Sequence, residues 1–195
     1  MARFFDVSNP WPYLLFYVVT VFWVLEFVVF PSKFKSDDFS EKRSFRLILA
    51  GIVATVLLNN VLTLFGWFTV QGALGLWMRR VAMFSYPLGL GLRYVSTLYL
   101  GQYFTRDVAI HTEQDLISKG PYRVLRHPLY LGLFLLAISV PLFFANGLIL
   151  VLSVLYMGAV LNLRMRLEED NMERIMGSRY TAWKKRRYRF IPFIY

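Results

Sequence analysis

Apolar positions along this chain are gathered into long runs. A search for stretches near the ~20 residues that a helix needs to cross a hydrocarbon core finds five: residues 11–30, 47–65, 81–100, 129–144 and 147–163. Each predicts a membrane-spanning helix. The first follows Ser8-Asn9-Pro10, which resembles a helix cap. It is long for a signal peptide and has only Arg3 as a basic residue before it, so it is expected to stay as an anchor. The third carries one internal charge, Arg93, near enough to the end of the run for its side chain to snorkel. The last two are shorter, and Pro141, Asn146 and Gly147 break the chain between them, which predicts a tight helical hairpin. Residues 66–78 are apolar but interrupted by glycine and too short to cross, and are expected to form an interfacial loop. No internal repeat or low-complexity stretch competes with this pattern.

The polar positions orient the pattern. Lys and Arg number five in residues 31–46, four in 101–127 and nine in 164–195, so eighteen of the 22 fall on one side of the predicted spans. Only Arg3, Arg79 and Arg80 fall on the other. Cytoplasmic loops carry such an excess. The amino terminus is therefore expected outside and the carboxyl terminus in the cytoplasm. Composition agrees: 195 residues with 57% hydrophobic, 18% aromatic and 17% charged side chains are too apolar for one water-soluble core. The expected fold class is an all-α integral membrane protein of about five transmembrane helices. Residues 1–195 form a single membrane domain, with N-terminal spans in 1–80 and the rest of the chain in 81–195. A net charge of +10 suggests nucleic acid, an anionic lipid surface or an anionic substrate. Hydropathy favours the membrane. The absence of cysteine excludes disulfides, thiolate zinc sites and a catalytic Cys, and two histidines are too few for an all-His metal site.

The two large polar stretches, 101–127 and 164–195, are separated only by the hairpin, which brings its ends together. They are expected to pack as one cytoplasmic cap, the 101–127 connector against the C-terminal helix, and an active site is expected there. The first stretch ends in Gly120-Pro121-Tyr122-Arg123-Val124-Leu125-Arg126-His127-Pro128-Leu129-Tyr130. Pro128 suits the first turn of a helix, and His127 and Tyr130, three residues apart, share a face. Arg164 and Glu168 share another face where the fifth span ends. As a solvated surface pair they would contribute about 0.3–0.5 kcal/mol. At the mouth of an apolar bundle, ionisable groups are functional candidates by default. His111, in the 107–115 connector, reads as an exposed polar residue. The run Lys184-Lys185-Arg186-Arg187 with Arg189, interleaved with Trp183, Tyr188 and Phe190, reads as an anchor to anionic lipid rather than an RNA-binding patch, at about 1 kcal/mol per basic residue.

Taken together, several segments resemble the isoprenylcysteine carboxyl methyltransferase family. They are Leu100-Gly101-Gln102-Tyr103-Phe104, Leu116-Ile117-Ser118-Lys119-Gly120-Pro121-Tyr122, Arg126-His127-Pro128-Leu129-Tyr130, Arg164 with Glu168-Glu169, Gly177-Ser178-Arg179-Tyr180 and Arg189-Phe190-Ile191-Pro192. Order and spacing match over residues 88–192, and the prokaryotic members of similar size have five spans. The resemblance implies an integral membrane enzyme that uses S-adenosylmethionine to methylate a lipid-borne acceptor. It implies a cofactor pocket lined by Gln114, Asp115, Leu116, Ile117, Tyr122, His127, Pro128, Leu129, Tyr130 and Glu168, with Arg164 facing the substrate. Gln114 stands where the family often has His.

Methyl transfer is an in-line displacement at a sulfonium, so the protein's work is alignment and exclusion of water. A carboxylate acceptor is ionised at neutral pH and needs no base. Arg164 can grip it with a bidentate fork while Glu168 balances the cofactor's positive charge. Two other readings stand beside this one: methylation of a phospholipid amine, which would need a base such as His127 or Glu168, and a non-catalytic membrane scaffold.

Overall fold

Backbone N–H and C=O groups cannot go unpaired in lipid, and the apolar runs meet this demand as helices. A computed structural model describes residues 11–29, 39–101 and 116–192. Their elements in chain order are α1 (Trp11–Val29), α2 (Phe39–Leu64), α3 (Gly72–Leu100), a 3-10 turn (Gly120–Arg123), α4 (Pro128–Phe143), α5 (Gly147–Met176) and α6 (Ser178–Lys184). The described residues contain no strand, only two isolated bridges. The all-α expectation holds.

The helices run past the apolar stretches in three places. α2 begins eight residues before its run. α3 begins at Gly72, so the loop expected over 66–78 is confined to residues 65–71. Gly66 and Gly72, both at φ +67°, bracket it, and from Ala73 onward good helix formers lead straight into the span. α5 continues as a single 30-residue helix through the expected end at Leu163 to Met176. At ~1.5 Å per residue it is about 45 Å long, well beyond the ~30 Å of a hydrocarbon core, so its polar last turns project from the apolar bundle.

The predicted hairpin forms between Phe143 and Gly147. Asn146, fully buried, accepts from Ile149 N at 3.1 Å to cap α5 and donates through Nδ2 to Trp67 O at 3.1 Å. The 65–71 loop is stitched to the same turn by Val70 N to Ala145 O (2.8 Å) and Gly147 N to Phe68 O (3.1 Å). At the other end of α4, His127 is the N-cap residue and Pro128 opens the first turn, where its missing N–H is harmless.

α3 and α4 make the closest pair, and small residues allow it. A Cβ on Gly132 would lie 2.7 Å from Gly89 O, and one on Gly89 would lie 2.8 Å from Gly132 O, so the two backbones touch. Arg93 does not snorkel as expected. It is 8% exposed, its stem crosses the space over Gly132, and Nη1 donates to Leu129 O at 3.4 Å. The missing side chain of Gly132 makes room for that course. Phe16 of α1 stacks between Tyr86 of α3 and Phe143 of α4, at centroid distances of 4.8 and 4.4 Å. Hydroxyl pairs hold two other contacts, Ser85 with Ser139 at 2.6 Å and Thr55 of α2 with Ser153 of α5 at 3.0 Å.

The outward faces are apolar. Leu14, Val21 and Phe22 on α1, Leu57, Leu58 and Val61 on α2, Phe84 and Leu88 on α3, and Val151 and Leu155 on α5 are all exposed. A contiguous apolar exterior of this extent is untenable in water and suits lipid. Two helical stretches, Arg43–Leu64 and Gly147–Met176, are each long and apolar enough to cross a bilayer, while Trp11–Trp23 and Pro128–Phe143 are apolar but shorter.

The Gly89–Gly132 contact predicts that Gly132→Ala destabilises the α3–α4 pair by about 1–3 kcal/mol through overpacking. Gly158→Ala, at a helical glycine with nothing within 4 Å, should be neutral or slightly stabilising. Thermal melts of the two variants in detergent compare them directly, and equal melting temperatures would refute the close contact.

Candidate active site

The segment 124–127 reaches its position by pairing with the chain after α6. Tyr188 N donates to Val124 O (3.0 Å), Arg126 N to Tyr188 O (2.8 Å) and His127 N to Arg189 O (3.3 Å). Arg187 fastens the same junction. Its Nε donates to Tyr122 O at 2.7 Å, its Nη1 to Trp183 O at 2.8 Å, and its guanidinium lies 4.4 Å over the Trp183 ring. Trp183 Nε1 in turn donates to Ser118 Oγ at 3.0 Å, which ties α6 to the chain entering the 3-10 turn. Lys184 pairs with Glu173 and folds α6 back on α5. The packing of the C-terminal helix against the second half of the connector is therefore present.

One carboxylate gathers this assembly. Glu169 Oε1 accepts from Arg126 Nη1 and from His127 Nε2, both at 2.9 Å, and Arg189 Nε lies 3.3 Å from Oε2. Burial pushes the Glu169 carboxyl up, but the His127 hydrogen bond and the charges of His127, Arg126 and Arg189 together outweigh it and hold the group below its ordinary value. Glu169 stands in the motif quoted from the sequence but was given no role there. A signal existed: the buried stripe of α5 passes through Met157, Leu161 and Met165, and Glu169 is the next position at i+4. A charge on a core stripe is either paired or functional.

Glu168, the neighbour predicted to act, faces differently. Its Oε2 lies 3.8 Å from His127 Nδ1, is buried, and has no hydrogen-bond partner among the described residues. The Tyr130 hydroxyl accepts from Arg164 Nε at 3.2 Å and is hydrogen-bonded to the Glu168 side chain. Arg164 is 2% exposed, and its Nη1 donates to Ser44 Oγ of α2 at 2.7 Å. His127 and Tyr130 share a face as expected, with ring centroids 5.6 Å apart.

The structure thus brings Tyr130, His127, Glu168 and Arg164 together where α4 begins and α5 leaves the bundle. Pro128 is buried in the first turn of α4, and Leu129 uses its carbonyl on Arg93. Tyr122 is buried on the 3-10 turn. Burial is the main cause that raises its phenol, and the nearby Glu168 charge adds to it. Leu116 and Ile117 are half-buried on the approach to that turn. Gln114, Asp115 and His111 lie outside the described residues. Ser44 was missed from the sequence, since a lone serine before an apolar run carries no periodic signal. Chemically, the arrangement sets an uncompensated carboxylate oxygen and a cation held by two hydroxyls on either side of one phenol.

Glu169→Gln should free the 185–192 segment, because Arg126 and Arg189 would face a neutral amide, at a cost of about 3 kcal/mol. The expected result is a lower melting temperature and faster tryptic cleavage after residues 184–187. The effect should depend on pH. The folded carboxyl titrates below the ordinary glutamate value of about 4.3, so its stabilisation is complete above that pH and fades as pH falls through the folded value. The gap between wild type and Glu169→Gln should therefore close in acid, and a gap that widened there would contradict the assignment.

Residues 81–174 match the Isoprenylcysteine carboxyl methyltransferase (ICMT) family. The protein-S-isoprenylcysteine O-methyltransferase of Saccharomyces cerevisiae is 34% identical over 130 residues, covering 57% of this chain and 54% of the yeast protein. A probable protein-S-isoprenylcysteine O-methyltransferase of Oryza sativa is 28% identical over 109 residues, covering 55% of this chain and 57% of the rice protein. The chain therefore spans a little over half the length of the curated relatives it matches. The solved structure of the eukaryotic intramembrane Ras methyltransferase ICMT superposes with a TM-score of 0.67 at 20% identity, over 96% of this chain and 69% of that one. The resemblance carried by the motifs holds as far as these matches reach: residues 81–174 match the family, and the fold is shared with the solved Ras methyltransferase.

Proposed function

We propose that this protein is an integral membrane S-adenosylmethionine-dependent methyltransferase that methylates the carboxylate of a lipid-borne acceptor such as an isoprenylcysteine. The observation that carries the reading is Oε2 of Glu168, buried without a hydrogen-bond partner among the described residues, beside the Tyr130–Arg164 pair. A buried carboxylate oxygen without a donor is costly unless a cationic ligand completes it. The cofactor is such a ligand, and the residues present fit it. Glu168 balances its charge. Tyr122, His127, Pro128, Leu129 and Tyr130 form the wall, and Leu116 and Ile117 offer apolar surface for the adenine, with Gln114 and Asp115 beside them in sequence. The names of the relatives support a carboxylate acceptor over a phospholipid amine or a non-catalytic scaffold.

Bound S-adenosylmethionine supplies an electrophilic methyl group on a positively charged sulfur. The chain's own residues do the rest. Arg164, held by Ser44 and Tyr130, is preorganised to take the acceptor carboxylate in a bidentate grip. Tyr130 joins the substrate-holding cation to the cofactor-facing carboxylate, so the two sites are fixed relative to each other. His127 donates to Glu169 through Nε2, which leaves Nδ1 turned toward Glu168. No proton has to leave a carboxylate acceptor, and no residue need act as a base.

The same reading places five spans in the membrane, with the amino terminus outside and the site on the cytoplasmic side. Residues 81–195 form the methyltransferase core and 1–80 its N-terminal spans. The exposed basic residues near α6 contact anionic lipid. Arg187 is committed to structural bonds and is not one of them.

Calorimetry of the detergent-purified protein with S-adenosylhomocysteine tests the proposal. Binding is expected in the micromolar range, and failure to bind at millimolar ligand would refute the enzyme reading. Glu168→Ala should weaken binding about tenfold or more. Arg164→Ala should lower turnover by a similar factor with little change in cofactor affinity. Turnover should stay flat from pH 6 to 8, whereas a steep rise would indicate an amine acceptor.

A further inference from the structure

α4 is short for its place in the bundle. Its 16 residues reach about 24 Å, against the roughly 30 Å of a hydrocarbon core. A helix of that length does not carry the turn at residues 144–146 from one boundary to the other, and backbone groups released by a turn cannot go unpaired in lipid. The 65–71 loop supplies their partners. Val70 N donates to Ala145 O at 2.8 Å, Gly147 N to Phe68 O at 3.1 Å and Asn146 Nδ2 to Trp67 O at 3.1 Å. Ala145 and Asn146 are fully buried. The start of α3 packs just as closely on the loop, since a Cβ on Gly75 would lie 2.1 Å from Val70 O.

Held in this way, the loop turns apolar side chains outward. Phe65, Trp67 and Phe68 are 65%, 58% and 58% exposed, and Leu74 and Trp77 next to them on α3 are exposed too. Phe68 stands at φ +58°, a backbone region that bulky residues rarely adopt. An exposed ring at such a position gains little from the protein's own core, so what favours it lies outside the chain. Two features identify the surroundings. The patch continues into the lipid-facing surfaces of the helices that the loop joins, through Val61 and Leu64 on α2 and Val81 and Phe84 on α3. It is also edged by polar groups: Asn60 is exposed near the end of α2, and the Arg80 guanidinium lies over the Trp77 ring at 5.2 Å. Tryptophan beside cationic and polar neighbours, at the rim of an apolar surface, is the composition of the membrane–water interface.

We propose that residues 65–71 are an interfacial anchor. Phe65, Trp67 and Phe68 seat at the boundary between headgroups and acyl chains of the leaflet at this end, and the loop's bonds to residues 145–147 hold the α4–α5 hairpin at that depth. The sequence pattern predicts only that this segment lies at an interface; the bonds assign it the hairpin. The inference rests on membrane insertion and not on methyl transfer, so the two can fail separately.

The chain has no cysteine, so single-cysteine variants of the full chain can each carry one nitroxide. Phe68→Cys, Trp67→Cys and Leu155→Cys, the last exposed about two turns into α5, are labelled and reconstituted in dioleoylphosphatidylcholine vesicles. Collisions with oxygen, which concentrates in hydrocarbon, and with a neutral nickel chelate, which concentrates in water, report depth. A water-soluble nitroxide sets the aqueous limit and the label at position 155 the hydrocarbon limit. The labels at 67 and 68 should fall between the two, with nickel collisions several-fold below the aqueous value. Values at the aqueous limit would put the loop in water, values at the hydrocarbon limit would put it inside the core, and either overturns the proposal. Spectral broadening that disappears on dilution with unlabelled protein would mean that a second copy covers the face, and overturns it as well. Asn146→Ser keeps an acceptor for Ile149 N but is too short to reach Trp67 O. Added to Phe68→Cys, it should make the label more mobile and move it toward the aqueous limit. Gly75→Ala, which drives a Cβ against Val70 O, should do the same by another route and serves if Asn146→Ser does not fold. An unchanged label in either variant would show that the hairpin and the loop do not hold each other. S-adenosylhomocysteine binding by Phe68→Cys should equal that of the wild type, and a loss there would tie the loop to the distant site and overturn the anchor as a separate element.

Discussion

The carboxylate of Glu169 is the interaction on which the site depends. Arg126 and His127 come from the segment that starts α4, Glu169 from the projecting part of α5, and Arg189 from the chain after α6. Apolar contacts help to hold these pieces, since Leu125, Tyr180 and Phe190 are buried and Phe190 packs on Phe134, but such contacts are non-directional. Multiple charge-assisted bonds to one carboxylate give direction as well as energy. Because Glu169 and Glu168 are adjacent on a helix, about 100° apart, satisfying the first carboxylate sets the heading of the second. Glu169 is saturated so that Glu168 can be left open.

The same logic extends inward. Arg164 lies one turn before Glu168, and its guanidinium is divided between Tyr130 of α4 and Ser44 of α2. Ser44 lies outside the stretch that matches the family, residues 81–174. A residue at the heart of the proposed site is thus positioned by a hydroxyl from the N-terminal part of the chain. α2 is more than an anchor: it packs on α5 through Thr55 and Ser153 and delivers Ser44 at the far end of the same buried stripe.

Most of this was legible in the sequence wherever one residue or one period carried the signal. The apolar runs, the break at Pro141 to Gly147, the shared face of His127 and Tyr130 and the i,i+4 spacing of Arg164 and Glu168 are all local, and all appear in the structure. What the sequence hid was set by contact between distant segments. Arg93 looked close enough to the end of its run to reach solvent, and only the glycine of another helix, Gly132, explains why it stays inside. Ser44 is invisible until Arg164 arrives. The basic run 184–187 reads as a lipid anchor by composition, yet Arg187 within it is a structural clasp on Tyr122 and Trp183. Hydropathy and charge counts average over just such differences.

Both ends of the bundle leave buried polar groups without a hydrogen-bond partner among the described residues. At one end acids and bases meet around Glu169, and the buried carboxylate oxygen without a hydrogen-bond partner among the described residues is Oε2 of Glu168, which suits a cation. At the other, Thr63 Oγ1 and both side-chain polar atoms of Asn59 are buried without a hydrogen-bond partner among the described residues. Both deficits cost stability in a medium that supplies no water to offset them. A chain that gathers Arg126, His127 and Arg189 on one carboxylate, and ties its hairpin with every polar atom of Asn146, has the means to close such gaps. That the Glu168 oxygen stays open, while Ser85 pairs with Ser139 and Thr55 with Ser153 inside the bundle, is what a site built to receive a cation requires.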